Sequence, residues 1–163
     1  MKGFYGYKNM KNQTFYDSET ILAQTVLPYQ SNASGNIHGG EIMKMMDSAA
    51  GAAAMKYAHS DIVTARVDEL CFKQPIHIGE LVTCTANVVY VGNSSMEAFV
   101  AVESENLIEG TKKIALTAFF TLVALGADGR PHKVPGFEVS DEPYIKLLYE
   151  EGKKRYMEHK KRK

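Results

Sequence analysis

Apolar and polar positions repeat with two different periods along this chain. From Glu19 to Leu27, the positions Ile21, Ala23, Thr25 and Leu27 alternate with Thr20, Leu22, Gln24 and Val26. That predicts a strand apolar on much of both faces, stopped by Pro28. From Gly40 to Tyr57 there is no proline, and between Ile42 and Met55 only Lys44, Asp47 and Ser48 are neither apolar nor small. This run predicts one long helix, closed by His59, Ser60 and Asp61, and buried because it is apolar nearly all round. Period two then returns in four runs: Ile62 to Phe72, Leu81 to Val91, Met96 to Glu103 and Lys113 to Leu125. In the second of these, Val82, Cys84, Ala86 and Val88 face one way and Thr83, Thr85 and Asn87 the other, as in a half-exposed antiparallel strand. Residues 126–135 read as a loop. A second helix is expected after Asp141-Glu142-Pro143, with Tyr144, Leu147 and Leu148 as its apolar stripe and a basic last turn.

The expected organisation is a loosely held arm over residues 1–17, a single domain over 18–137, and a C-terminal helix with a basic tail over 138–163. One strand, one long helix and four antiparallel strands make an α+β arrangement in which one sheet covers one helix. Such a layer leaves apolar surface over, which pairing in a symmetric dimer would bury.

Charge and composition narrow the functions open to the chain. It has 163 residues and a formal net charge of zero. Its basic residues are spread through the body except at Lys153, Lys154, Arg155 and Lys160 to Lys163, so nucleic acid is not an expected partner. Cys71 and Cys84 lie in apolar, β-prone runs and are expected as free, buried thiols of a cytoplasmic protein. No apolar run suits a secretory leader or a membrane span. His59, His77, His132 and His159 have no metal-ligand spacing with each other or with the cysteines, so no metal is expected.

The candidate chemistry begins at Asn32-Ala33-Ser34-Gly35-Asn36-Ile37-His38-Gly39-Gly40, a polar loop that runs into the long helix. Glycines let the backbone approach a ligand closely, and the first helical turn offers N–H groups that attract negative charge. Asp47 follows Gly40 by two turns, roughly 10 Å along the axis and on the same face. A carboxylate on a buried helix must be paired, neutralised or used. A buried aspartate is often only a hydrogen-bonded structural group, but here it follows a glycine-rich, asparagine-bearing loop, which favours function. His38 beside the glycines is better read as hydrogen-bonding the neighbouring backbone than as a base. No Lys-Ser/Thr follows the glycines, as a phosphate loop would require, and there is no Gly-x-Ser-x-Gly elbow.

In order along the chain, this loop, Met46-Asp47, Val67-Asp68-Glu69, the segment Phe72 to Val82, Gly92-Asn93-Ser94-Ser95-Met96-Glu97, Ser104-Glu105-Asn106 and Val123-Ala124 resemble the hotdog-fold acyl-CoA thioesterases. The branch is that of the bacterial and brain-type cytosolic acyl-CoA hydrolases, and the resemblance covers roughly residues 20–135. It implies a central helix wrapped by an antiparallel sheet, homodimers with composite sites, and commonly a trimer of dimers. It places the functional asparagine on Asn32 and the acid on Asp47, contributed by opposite subunits. Gly39 and Gly40 match the helix start that polarises the thioester carbonyl. Thr64, Gly92, Ser94 and Ser95 match positions near the acyl-CoA substrate. Coenzyme A would be part of the substrate, with no separate cofactor. Asp47 would be general base or nucleophile, the sequence leaving both open. A non-catalytic acyl-CoA sensor and an enoyl-thioester hydratase of the same fold are the alternatives.

Overall fold

A computed structural model describes residues 11–161 of the chain. Strand β1 (Thr20–Thr25) precedes helix α1 (Gly39–Ala58), which is followed by β2 (Asp61–Phe72), β3 (Leu81–Val91), β4 (Ser95–Asn106), β5 (Thr111–Leu125) and helix α2 (Pro143–Lys161). The strands form one antiparallel sheet in the order β1-β3-β4-β5-β2. The alternation read in the sequence is the alternation of the pleat. Val82, Cys84, Ala86, Val88, Ala98, Val100, Val102, Leu116 and Leu122 turn toward α1 and are buried there with Ile42, Met46, Ala49, Ala50, Ala53, Ala54 and Tyr57. The fully buried Ala49, Ala50, Ala53 and Ala54 let the sheet come close to the helix axis.

Helix α1 starts where the sequence predicts. His38 is its N-cap, and the His38 Nδ1 accepts a hydrogen bond from the Gly40 N–H at 3.4 Å. It ends at His59, which takes a left-handed conformation with φ of 51°. One expectation fails: α1 is not buried all round. The sheet covers one side only, and Met43, Lys44, Asp47, Ser48 and Met55 face outward from this chain.

The other face of the sheet is also covered in part. A second apolar cluster of Phe15, Val89, Phe119, Ile145 and Leu148 lies there under α2. It buries Asn87 and Val89, so β3 is not the half-exposed strand its alternation suggests. The stripe expected on α2 is displaced as well. Ile145, Leu148 and Gly152 are its buried residues, whereas Tyr144 and Leu147 are each 59% exposed. Of the arm expected over residues 1–17, residues 1–10 lie outside the described residues, and the remainder is held rather than loose. The Gln13 N–H donates to the Gly136 carbonyl at 2.9 Å, and Phe15 is buried.

The edges of the sheet are the least covered part. Strand β2 pairs only with β5 and is exposed along nearly its whole length, with Val63, Val67 and Phe72 at 45%, 38% and 49% exposure. Cys71 is exposed on this strand, against the expectation of a buried thiol, whereas Cys84 is buried and its thiol is pushed up to about 12 by burial. A long unpaired apolar edge is what isolated sheets avoid, by pairing or covering it. Among the described residues, no helix is long and apolar enough to cross a membrane.

Candidate active site

Two polar groupings lie on the exposed side of α1. The first is at its start. The Asn32 loop forms a tight hydrogen-bonded turn: Asn32 Oδ1 accepts from the Ser34 N–H at 2.9 Å and the Asn36 N–H at 3.3 Å, and the Asn32 N–H donates to the Asn36 carbonyl at 2.8 Å. An asparagine whose carbonyl oxygen closes its own turn has its NH2 end left over as a donor. Asn32 and Gly39 both line a cleft of about 400 Å³, bounded also by Ile37, Phe72, Lys73 and Ile76. Two glycines open the helix here, and they do different things. The Gly40 N–H is taken by His38, but the Gly39 N–H has no partner among the described residues. A Cβ on Gly39 would sit 3.3 Å from Phe72 Cζ, so the aromatic ring rests against the backbone of the first helical residue. An unpaired N–H at a helix start, beside an amide donor and an aromatic wall, can hold a polarised carbonyl oxygen.

The second grouping is Asp47 with Thr64. The Thr64 hydroxyl donates to Asp47 Oδ1 at 2.7 Å, joining α1 to the edge strand. Asp47 is exposed in this chain, which corrects the expectation of a buried carboxylate. Thr64, matched to the substrate by resemblance, touches the acid through this hydrogen bond. Asp47 does not reach the Asn32 cleft: it stands eight residues beyond Gly39, roughly 12 Å along the axis. Within one chain, then, Asn32 and Gly39 are brought together, and Asp47 and Thr64 are brought together, but the two pairs are apart.

The turn before β4 lies at the Thr64 end of the sheet. Ser95 pairs with Val123, and Val123 pairs with Val63. Ser95 is therefore two strand spacings, roughly 10 Å, from the start of β2. The Gly92 N–H donates to the Ser95 carbonyl at 2.8 Å, and the Ser94 carbonyl accepts from the Ala124 N–H at 2.9 Å. Gly92 also lines a second cleft of about 440 Å³, with Asn12, Asn93, Lys133 and Gly136. Glycine at this position has a packing reason as well. A Cβ there would lie 2.5 Å from Tyr156 Cε2, a ring that α2 lays across the turn.

Some residues at the first cleft carry no individual signal in the sequence. Phe72 and Lys73 end a strand and open a proline-bearing turn, and only the fold brings that turn beside the helix start. Gln30 and Glu80, both buried, flank the Asn32 loop. Leu27 N–H donates to Gln30 Oε1 at 2.9 Å, and His38 N–H donates to the Gln30 carbonyl at 2.8 Å. The burial of Gln30 and Glu80 comes from segments distant in the chain and leaves no signal in the sequence around them.

Comparison with known proteins decides the family. Residues 34–111 match the model of the thioesterase superfamily. A Bacillus subtilis (strain 168) protein named as an uncharacterized acyl-CoA thioester hydrolase, YkhA, is 34% identical over 147 residues, which cover 90% of this chain and 85% of that protein. The chain belongs to the thioesterase superfamily. Among solved structures of its relatives, an apo-hexameric acyl-CoA thioesterase has 36% identity and a TM-score of 0.88, covering 93% of this chain and 97% of that one. An acyl-CoA hydrolase from Bacillus cereus has 32% identity and a TM-score of 0.89, covering 93% and 92%. The fold is thus the hotdog fold of these thioesterases, with α1 as the wrapped helix. The mouse cytosolic acyl coenzyme A thioester hydrolase is 36% identical over 156 residues, and the chain spans 40% of its length.

Proposed function

We propose that this chain hydrolyses acyl-CoA thioesters to the free carboxylic acid and coenzyme A, at sites shared between two copies of the chain. The observation that carries the reading is the division of the chemistry into two halves, Asn32 with Gly39 and Asp47 with Thr64, beside an unpaired apolar edge strand. A two-fold axis near β2 would bring the Asn32 cleft of one copy against the Asp47 of the other and would cover Val63, Val67 and Phe72. Spacing supports it. Structures of a Staphylococcus aureus acyl-CoA hydrolase have been solved with an asparagine, an aspartate or a threonine changed to alanine, and in chain order those residues are fifteen and seventeen positions apart. Asn32, Asp47 and Thr64 have the same two spacings. That protein is also described in complex with butyryl coenzyme A and coenzyme A.

In this reading the thioester carbonyl accepts a hydrogen bond from the Gly39 N–H, which strengthens as the oxygen gains negative charge. The Asn32 NH2 orients the thioester or the attacking water. Asp47, aligned by the Thr64 hydroxyl, either takes the proton of that water or attacks the carbonyl itself to give an anhydride that water then cleaves. Either way the coenzyme A thiolate leaves and takes up a proton, and no further cofactor is needed. Gly92, Ser94 and Ser95 would border the coenzyme A portion. The assembly would be a trimer of such dimers, as the hexameric names of two structural neighbours suggest.

The test is free-thiol release from a panel of acyl-CoA esters by the intact chain, Asn32→Ala and Asp47→Ala, with oligomeric state checked for each. A loss on the order of 10³-fold in folded Asp47→Ala is expected. Mixing unfolded Asn32→Ala and Asp47→Ala chains and refolding them together should restore about a quarter of wild-type turnover, since half the dimers would be mixed and each would hold one intact site. No recovery would refute the shared site. Binding of acyl-CoA without turnover by the intact chain would favour the sensor.

A further inference from the structure

We propose that Glu80 is a positioning residue that holds the Asn32 amide in place, acting through the turn that precedes β3. The proposal rests on the reading of Asn32 given above.

Glu80 is a buried carboxylate, 9% exposed, in the turn before β3. What a carboxylate adds is capacity, since its two oxygens can accept about four hydrogen bonds at once. Glu80 uses it to tie three elements together. Its Oε2 accepts from the Ser104 hydroxyl of β4 at 2.5 Å and from the His77 N–H of the turn at 3.0 Å, and Lys113 of β5 stands 3.8 Å from its Oε1. Burial alone would push the pKa of this carboxyl up. The Ser104 hydroxyl, the His77 N–H and the positive charges of Lys113 and His77 outweigh it and hold the carboxyl below its ordinary value. The turn is thereby fixed to β4 and β5, two of the three inner strands of the sheet.

From the turn, the constraint passes to the Asn32 loop. Asn36 pairs with His77, the Ile37 N–H donates to the Ile76 carbonyl at 2.7 Å, and the Ile78 N–H donates to the Gly35 carbonyl at 3.4 Å. Asn36 is the next link, because its N–H and carbonyl both bind Asn32. The loop is otherwise exposed and has little apolar packing of its own beyond Ile37. The hydrogen bonds that flank the Asn36–His77 pair thus link the turn held by Glu80 to the loop of Asn32, a residue that lines the cleft.

The experiment measures turnover of butyryl-CoA by Glu80→Ala, Asn32→Ala and the double variant, with backbone hydrogen exchange at Ser34 and Asn36. Glu80→Ala should lower kcat roughly tenfold or more, because displacements near 1 Å have costs of that order, while KM stays within about twofold. Glu80→Gln, which keeps an acceptor for His77, should recover most of it. In the Asn32→Ala background Glu80→Ala should cost less than about twofold, since there is no amide left to misplace. Exchange at Ser34 and Asn36 should quicken, with the amides of α1 unchanged. An equal loss in both backgrounds, or a folded Glu80→Ala with unaltered kcat beside an impaired Asn32→Ala, overturns the proposal alone. Full activity in Asn32→Ala overturns the reading of the site and the proposal with it. If Glu80→Ala does not fold, Ser104→Ala, which removes the donor that ties Glu80 to β4, carries the same comparison.

Discussion

Glu97 should make the stability of this protein fall as the pH rises. It sits on β4 under α2, 1% exposed, and burial pushes its carboxyl from the ordinary 4.5 up to about 7. The Thr121 hydroxyl, which donates to both oxygens at 3.0 Å, and the charges of Arg155 and Arg66 oppose that rise, while Asp68 adds to it. His159 Nε2 lies 2.7 Å from Asp68, and its Nδ1 is 3.9 Å from Glu97, so the C-terminal helix meets two acids at its last turns. Because the folded value lies above the unfolded one, the folded state keeps a proton that the unfolded state has released. No penalty exists below pH 4.5. It grows as the pH climbs and is complete above about 7, reaching about 3 kcal/mol at 1.36 kcal/mol per unit. The assay is urea unfolding of the wild type and Glu97→Gln at fixed protein concentration between pH 5 and pH 8. A neutral amide has no such proton to lose, so the wild type should weaken over this window by ~2 to 3 kcal/mol more than the variant. Curves that stay parallel would refute the argument. They would mean that Glu97 is ionised in the folded state throughout, compensated by Arg155 and Arg66.

Other perturbations separate packing from chemistry. Gly92→Ala should destabilise the fold by about 1 to 3 kcal/mol through its clash with Tyr156, and adding Tyr156→Ala should remove most of that difference in urea unfolding. Loss of acyl-CoA affinity with stability intact would instead place substrate at Gly92. Thr64→Val removes the donor to Asp47 without changing shape, and turnover of acyl-CoA should fall on the order of tenfold with secondary structure unchanged. Tyr57→Phe, which deletes a buried hydroxyl that donates to the Gly136 carbonyl at 2.8 Å, should cost about 1 to 2 kcal/mol in thermal or urea unfolding. The Cys84 thiol, pushed up to about 12, should not react with a thiol-specific disulfide reagent at pH 8 until the protein unfolds.

The sequence by itself determined the elements and their order. Period two over residues 62–72, 81–91 and 113–125, and the proline-free run from Gly40 to Tyr57, are local signals, and the strands and α1 follow them closely. The glycine pair and the histidine before it likewise place the helix start, because capping is settled by three or four adjacent residues. The resemblance singled out Asn32 and Asp47 as the reacting pair and set Thr64 with Gly92, Ser94 and Ser95 near the substrate. Only the tertiary structure decided which surfaces those elements cover. β1 pairs with β3 rather than with its neighbour in sequence, β2 lies on an open edge, and α2 closes over the outer face. These are choices among distant partners, governed by total buried area, and no window of residues contains them. Hence Asp47, on a helix that reads as buried, faces outward; the α2 stripe is Ile145 and Leu148, not Tyr144 and Leu147; and Gly92 lies under a ring from residue 156. For the same reason Glu80, in a turn, and Glu97, on a strand, look like solvent-facing charges in the sequence. Burial, and the partners that make it tolerable, come from chain segments far away in sequence.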